Sequence, residues 1–317
     1  MQYVFIDGQA GTTGIEITDR LRNRHDLSLI TLTDADRKNP DKRREALGAA
    51  DAAILCLPDD AAREAVALAA ENTGGKTRLI DASTAYRVAP DWAYGLPELN
   101  AAQRERIRSA RFVSNPGCYP QGFILMVRPL IEAGVLTAHR ALTCHALSGY
   151  SGGGKQMIER YRAASPDQSE GYGARPYGLT FAHKHVPEMH QYATTSTRPL
   201  FAPIVCNYYK GMLVHVPLFT SDLRCTAEQA RDLLADRYQG EPFVKVLPYG
   251  ATDTLDGGYL DPTTCNDSNR IELMVFAGAD QILLTARYDN LGKGASGAAV
   301  QNLNLMLGVE ETEGLLR

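Results

Sequence analysis

Tyr3-Val4-Phe5-Ile6-Asp7-Gly8-Gln9-Ala10-Gly11-Thr12-Thr13-Gly14 is the stretch that decides the fold. Tyr3–Ile6 reads as a short apolar strand. An acid and three glycines at every third position follow, then a helix carrying Ile15, Ile17 and Leu21. Gly8, Gly11 and Gly14 permit a tight turn. They let a pyrophosphate approach backbone N–H groups where Thr12 and Thr13 open the helix. The spacing is Gly-x-x-Gly-x-x-Gly, not Gly-x-Gly-x-x-Gly. A glycine-rich turn alone is a weak sign, and its strand-turn-helix context is what makes it a dinucleotide signal.

Outward from this turn, strand and helix alternate. Strands are expected at Leu27–Leu32, Ala52–Leu57 and Leu79–Asp81, with a helix starting at Pro58-Asp59-Asp60 and running to Glu71. This rhythm predicts an α/β, doubly wound parallel sheet, a Rossmann-type dinucleotide-binding domain. Later strand-like runs crowd together at Ala141–Leu147, Gly211–Leu218, Glu272–Phe276 and Gln281–Tyr288, with few helices expected between them. They predict a second, α+β domain with an antiparallel or mixed sheet. Helical spacing returns over Ser296–Leu307. The expected boundaries are 1–117, with 296–317 packing back, and 118–295.

The chain has 317 residues, 33 Lys and Arg against 37 Asp and Glu, and a net charge of −4. Nothing in that balance favours nucleic acid or an anionic membrane. No apolar run is long enough to span a bilayer, and the N-terminus lacks the pattern of a signal peptide. The six cysteines are scattered without a Cys-x-x-Cys pair, which fits a reducing, cytoplasmic setting and argues against structural zinc.

Chemistry concentrates in four places. Ser114-Asn115-Pro116-Gly117-Cys118-Tyr119-Pro120-Gln121-Gly122 sets a cysteine after a Pro-Gly turn and before the apolar run Phe123–Val127. A helix N-terminus favours the thiolate, so Cys118 is a candidate nucleophile; a small buried core cysteine is the plainer alternative. Phe181-Ala182-His183-Lys184-His185-Val186-Pro187-Glu188 offers two histidines that share a face if the segment is extended, as Pro187 favours. Either histidine suits the base and acid a thiol nucleophile needs, with Glu188 as an orienting group or a plain ion-pair partner. A metal would need further ligands, and none cluster here. Ser148-Gly149-Tyr150-Ser151-Gly152-Gly153-Gly154-Lys155-Gln156 nearly matches a nucleotide-binding P-loop, but Gln156 stands where Ser or Thr should hold magnesium. A backbone nest for a substrate carboxylate or phosphate is the better expectation, beside that of a flexible loop. Finally, Asp34 after the second strand suits a ribose hydroxyl and NAD, whereas Arg37 and Lys38 suit the 2′-phosphate of NADP. The basic pair tips the expectation to NADP.

Together with Asp81-Ala82-Ser83-Thr84-Ala85-Tyr86-Arg87, Gly95-Leu96-Pro97-Glu98 and Asp289-Asn290-Leu291-Gly292-Lys293-Gly294-Ala295-Ser296-Gly297, these motifs resemble the N-acetyl-gamma-glutamyl-phosphate reductases of the short form, in the semialdehyde dehydrogenase superfamily. The resemblance covers nearly the whole chain. It implies a catalytic domain of the glyceraldehyde-3-phosphate and aspartate-semialdehyde dehydrogenase type. It also implies NADPH and a reductive dephosphorylation in arginine biosynthesis. Cys118 would be the nucleophile and His183 the acid/base, with Ser83 joining Gly8, Gly11, Thr12, Thr13, Gly14, Arg37 and Lys38 at the cofactor. Ser148, Gly149, Tyr150, His185 and Glu188 would be candidates for the acyl phosphate substrate. A homo-oligomer, dimer or tetramer, is expected, with no nucleic-acid, membrane or metal partner. Gln121 departs from the Thr of many members. An aspartyl-phosphate reductase and a non-catalytic dinucleotide sensor are the alternative readings.

Overall fold

A computed structural model describes residues 1–72, 76–164 and 172–317, which form two compact units. The first comprises Met1–Gly117 and Ala295–Leu316, the second Cys118–Gly294.

In the first unit the elements are β1 (Gln2–Asp7), α1 (Thr12–Leu21), β2 (Leu27–Ile30), α2 (Pro40–Ala49), β3 (Ala52–Leu55), α3 (Asp59–Asn72), β4 (Arg78–Asp81), β5 (Ala93–Tyr94), α4 (Ala101–Ser109) and β6 (Phe112–Ser114). The six strands are all parallel, in the order β2-β1-β3-β4-β6-β5. Burial on both faces explains the unbroken apolar run Ala52–Leu55. The chain crosses to opposite sides of β1 to form β2 and β3, so the glycine turn lies at the switch point where open α/β sheets bind ligands. Asn39 caps α2, its side chain accepting from the N–H groups of Asp41 and Lys42, and Pro40 sits where a missing N–H costs nothing.

The second unit runs α5 (Cys118–Glu132), β7 (Thr143–Gly149), α6 (Gly154–Ala164), β8 (Arg175–Pro176), α7 (Val186–Ala193), β9 (Leu200–Cys206), β10 (Met212–Phe219), α8 (Ala227–Arg237), β11 (Val244–Val246), a hairpin of β12 (Leu255–Asp256) and β13 (Tyr259–Leu260), β14 (Ile271–Ala277) and β15 (Gln281–Tyr288). Its mixed seven-stranded sheet has the order β11-β14-β15-β10-β7-β9-β8. Three of its four helices, α6, α7 and α8, lie between strands of this sheet along the chain. The strand β9 lies outside the expected runs; its Leu-Phe-Ala-Pro-Ile-Val-Cys lacks clean alternation. The chain ends in α9 (Gly297–Leu307), which belongs to the first unit. Amides hold it there: Asn302 Nδ2 donates to the Gly95 carbonyl at 2.9 Å, and Gln301 Nε2 to Glu98 at 2.9 Å.

Helix α5 is the core of the second unit. Phe123–Val127 are all buried, and burying such side chains stabilises by about 1.5–3 kcal/mol each. Pro129 lies inside the helix and has no N–H for the Leu125 carbonyl. The Tyr238 hydroxyl donates to that carbonyl instead, at 2.8 Å. Tyr238→Phe is expected to destabilise the protein by about 1–3 kcal/mol, the cost of an unsatisfied buried acceptor. Urea unfolding followed by circular dichroism measures this; an unchanged midpoint would show that water serves the carbonyl as well.

Among the described residues no helix is long and apolar enough to cross a membrane.

Candidate active site

The glycine turn is built around close backbone approaches. Gly8 has φ +89°, and a Cβ there would stand 2.3 Å from the Cys56 carbonyl oxygen. A Cβ on Gly14 would stand 2.5 Å from the Gly8 carbonyl oxygen. Only glycine fits either position. Gly11 meets nothing nearer than 3.5 Å and serves as the N-cap of α1. A cavity of about 360 Å³ opens here, lined by Asp7, Gly8, Gln9, Gly11, Leu32, Arg37, Lys38 and Cys56 among others. The structure thus brings Gly8, Gly11, Arg37 and Lys38 together. Thr12, Thr13 and Gly14 form the first turn of α1 beside this cavity's lining. Ser83 is not in the lining; its hydroxyl donates to Asp81 at 2.7 Å. Arg37 pairs with Asp34 at 3.1 Å, so the two residues that pointed to different dinucleotides act on each other. Arg43, in α2, is buried. Its guanidinium donates twice to Asp7, at 3.1 and 3.0 Å. Burial pushes the Asp7 carboxyl up, and the Arg43 bonds oppose that shift. A cradle walled by backbone, at a helix N-terminus, with two cations beside it, fits a dinucleotide phosphate.

The link Asn115-Pro116-Gly117 leads from β6 to Cys118. Arg87 braces it by donating from Nε to the Asn115 carbonyl at 3.1 Å, and the Asn115 amide donates to the Ala295 carbonyl at 3.0 Å. Cys118 is the first residue of α5 and half-buried. It opens onto a cavity of about 220 Å³ whose walls include Ser148, Gly149, Tyr177, His183, Lys184 and His185.

The histidines do not lie on a strand. His183–Val186 form a turn, closed by the Val186 N–H donating to the His183 carbonyl at 3.0 Å, and α7 starts at Val186. Pro187 occupies the first turn of that helix, where its fixed φ and missing N–H are welcome, so the extended conformation expected from it does not form. The turn puts the two rings 4.7 Å apart. The His185 N–H donates to His183 Nδ1 at 3.2 Å, which leaves the proton of the neutral His183 ring on Nε2. Tyr119, Tyr177 and Phe201 box the His183 ring. The Tyr177 hydroxyl donates to that of Tyr119 at 3.2 Å, and burial pushes both phenols above their ordinary range, so both stay neutral.

Two expected substrate residues lie outside this cavity's lining. Tyr150 stacks on Tyr161 at 4.9 Å, and Glu188 is buried in the first turn of α7. Lys155 pairs with Glu159 on the exposed side of α6, so nothing of the P-loop pattern reaches a phosphate through it. Tyr119, Tyr177 and Phe201 were missed as site residues. Tyr119 stands in the Cys118 motif without a role of its own there, and Tyr177 and Phe201 come from segments that carry no motif. Among the described residues no group of three His, Cys, Asp or Glu side chains is arranged to hold a metal ion.

Residues 3–109 match the family described as semialdehyde dehydrogenase, NAD binding domain, and residues 118–290 the one described as semialdehyde dehydrogenase, dimerisation domain. Solved structures share the fold. Aspartate semialdehyde dehydrogenase II from Vibrio cholerae, complexed with ASA, superposes with a TM-score of 0.73 at 15% identity, over 97% of this chain and 98% of that one. The enzyme from Francisella tularensis gives 0.72 at 16%, over 97% and 100%. The architecture is therefore that of a semialdehyde dehydrogenase, with a nicotinamide dinucleotide as cofactor of the first unit and self-association a property of the second. N-acetyl-gamma-glutamyl-phosphate reductase 2 of Nostoc sp. is 49% identical over 98% of both chains, and the reductase of Rhizobium meliloti is 48% identical over 96% of this chain and 98% of its own. The chain belongs to the N-acetyl-gamma-glutamyl-phosphate reductase family.

Proposed function

We propose that the protein reduces N-acetyl-glutamyl 5-phosphate to N-acetyl-glutamate 5-semialdehyde and phosphate in the cytoplasm, as a homodimer or homotetramer, with NADPH as reductant. The observation that carries this reading is Cys118 at the start of α5, in one cavity with His183.

The Cys118 thiolate attacks the acyl carbon, and the bond to phosphate oxygen breaks, leaving a thioester on Cys118 and free phosphate. Gly8, Gly11, Arg37 and Lys38, with Thr12, Thr13 and Gly14 in the first turn of α1 and with Ser83, would hold a reduced dinucleotide, which would supply the hydride that takes the thioester to a thiohemiacetal. His183 takes the thiol proton as the Cys118 thiolate forms; as the imidazolium it gives a proton to the resulting oxyanion, then takes it back as the carbon–sulfur bond breaks to release aldehyde and thiolate. Backbone N–H groups beside Cys118 steady the tetrahedral oxyanions. Ser148, Gly149 and His185 line the wall available to the rest of the substrate. Phosphate is a good leaving group, so a soft nucleophile suffices.

Phosphate release from N-acetyl-glutamyl phosphate and from aspartyl phosphate, each with NADPH, tests the reading. Release is expected from the first alone. Preference for aspartyl phosphate, or no release from either, overturns it.

The NADP assignment rests on Arg37 and Lys38 in the wall of the dinucleotide cavity. The ratio of kcat/KM for NADPH over NADH is expected to exceed one and to fall about tenfold in Arg37→Ala, the worth of one charge-assisted hydrogen bond. A parent ratio favouring NADH, or one that Arg37→Ala leaves unchanged, shows the assignment to be wrong.

A further inference from the structure

In a regular helix the Gly122 N–H would donate to the carbonyl of Cys118, four residues earlier. Here the Tyr288 hydroxyl reaches the same two groups from the side. The Tyr288 hydroxyl accepts from the Gly122 N–H at 3.1 Å and donates to the Cys118 carbonyl at 2.6 Å, with the Tyr119 carbonyl at 3.4 Å. A hydroxyl bonded to both groups ties the first turn of α5 to β15. That turn carries the candidate nucleophile. Tyr288 itself cannot drift: it ends β15, pairs with Met212 and Ile271 on either side, and is fully buried. Position 122 is shaped to the same contact. A Cβ on Gly122 would lie 3.0 Å from both the ring edge and the hydroxyl of Tyr288 and 2.9 Å from Cβ of Ala286.

The residues after Tyr288 hold Cys118 from a second side. Gly292–Ser296 form a π-helical turn, a departure often found at functional sites. A Cβ on Gly294 would stand 3.0 Å from Cβ of Cys118, so the turn's backbone lies directly against the nucleophile's side chain. One continuous segment therefore grips Cys118 at its carbonyl and at its Cβ.

We infer that Tyr288 is a positioning residue for Cys118: its hydroxyl, bonded into the first turn of α5, sets the backbone torsions that aim the thiol. This rests on the reading of Cys118 as nucleophile. Burial pushes the Tyr288 phenol well above its ordinary range, so it keeps the proton it donates at any working pH. Without the hydroxyl the first turn loses its tie to β15, and the thiol it carries shifts. A misplacement of about 1 Å at a reacting atom costs up to about a hundredfold in rate.

Tyr288→Phe is the test, read as kcat, KM for NADPH, and the rate of Cys118 alkylation by iodoacetamide. The expected result is kcat down roughly ten- to a hundredfold, alkylation slowed, and KM for NADPH unchanged. A purely structural tyrosine would lower the melting temperature and leave kcat and alkylation at parent values, which overturns the inference. Should Tyr288→Phe fail to fold, Gly122→Ala decides. It favours helix but crowds the hydroxyl, so lowered kcat in a folded protein supports the inference and parent kcat overturns it. Cys118→Ser separates the two levels. If it stays active, the nucleophile reading falls and this inference with it. If it is inactive while Tyr288→Phe keeps parent kcat and alkylation, the positioning role alone falls.

Discussion

Cys118→Ser is expected to leave a folded, dinucleotide-binding protein whose reductase turnover is lower by on the order of 10⁴-fold or more. A serine hydroxyl is far from ionised at neutral pH, and a histidine base that suffices for a thiol leaves it largely protonated; the thiol needs much less help. The other cysteines set up a second readout. Burial pushes Cys56 up to about 12 and Cys265 up to about 11, and raises Cys144, Cys206 and Cys225 as well. All five are held as poorly reactive thiols. Iodoacetamide should therefore label Cys118 first, with loss of activity in step, as mass spectrometry of digested protein will show. Substantial turnover in the serine variant would exclude a covalent thioester, and earlier labelling of any other cysteine would remove the electrostatic reason for choosing Cys118.

His183→Asn is expected to lower kcat by roughly a hundred- to ten-thousandfold, the usual worth of a general acid/base, with NADPH affinity little changed. The two histidines should not be equivalent. His183 borders the Cys118 cavity with Nδ1 occupied by the His185 N–H, which leaves Nε2 as its proton-carrying atom. The His185 ring is buried beside it and is expected to shape the substrate wall. His185→Asn should therefore raise KM for the acyl phosphate more than it lowers kcat. Steady-state kinetics with both variants decide the matter. A larger loss of kcat in His185→Asn reverses the roles, and no loss in either moves the base to another residue.

Much of this protein was legible in its residues, and the illegible parts have a common cause. Local rules reach as far as neighbouring residues do. The glycines at 8 and 14 announce a turn because no side chain fits there, and the alternation around them announces a parallel sheet because buried strands must be apolar on both faces. Cys118 after Pro116-Gly117 could be singled out because a helix start and a thiolate suit each other. His183 and His185 stood out as candidates as well, but their conformation was misjudged. Pro187 weighs toward extension in isolation and toward a helical first turn once α7 packs into a core, and packing won. Arg43, which no neighbouring residue marks out, is likewise buried against Asp7 by the fold.

By itself, then, the sequence determined the class of fold, the glycine turn and the chemically capable residues, because each depends on steric or electronic properties of a few adjacent positions. Only the tertiary structure decided which of those residues share a cavity, that Ser83, Tyr150 and Glu188 stand outside the linings, and that Tyr288 enters the first turn of α5 from 170 residues away. Such contacts join segments whose separation along the chain carries no periodicity, and they exist only once burial has brought the segments together.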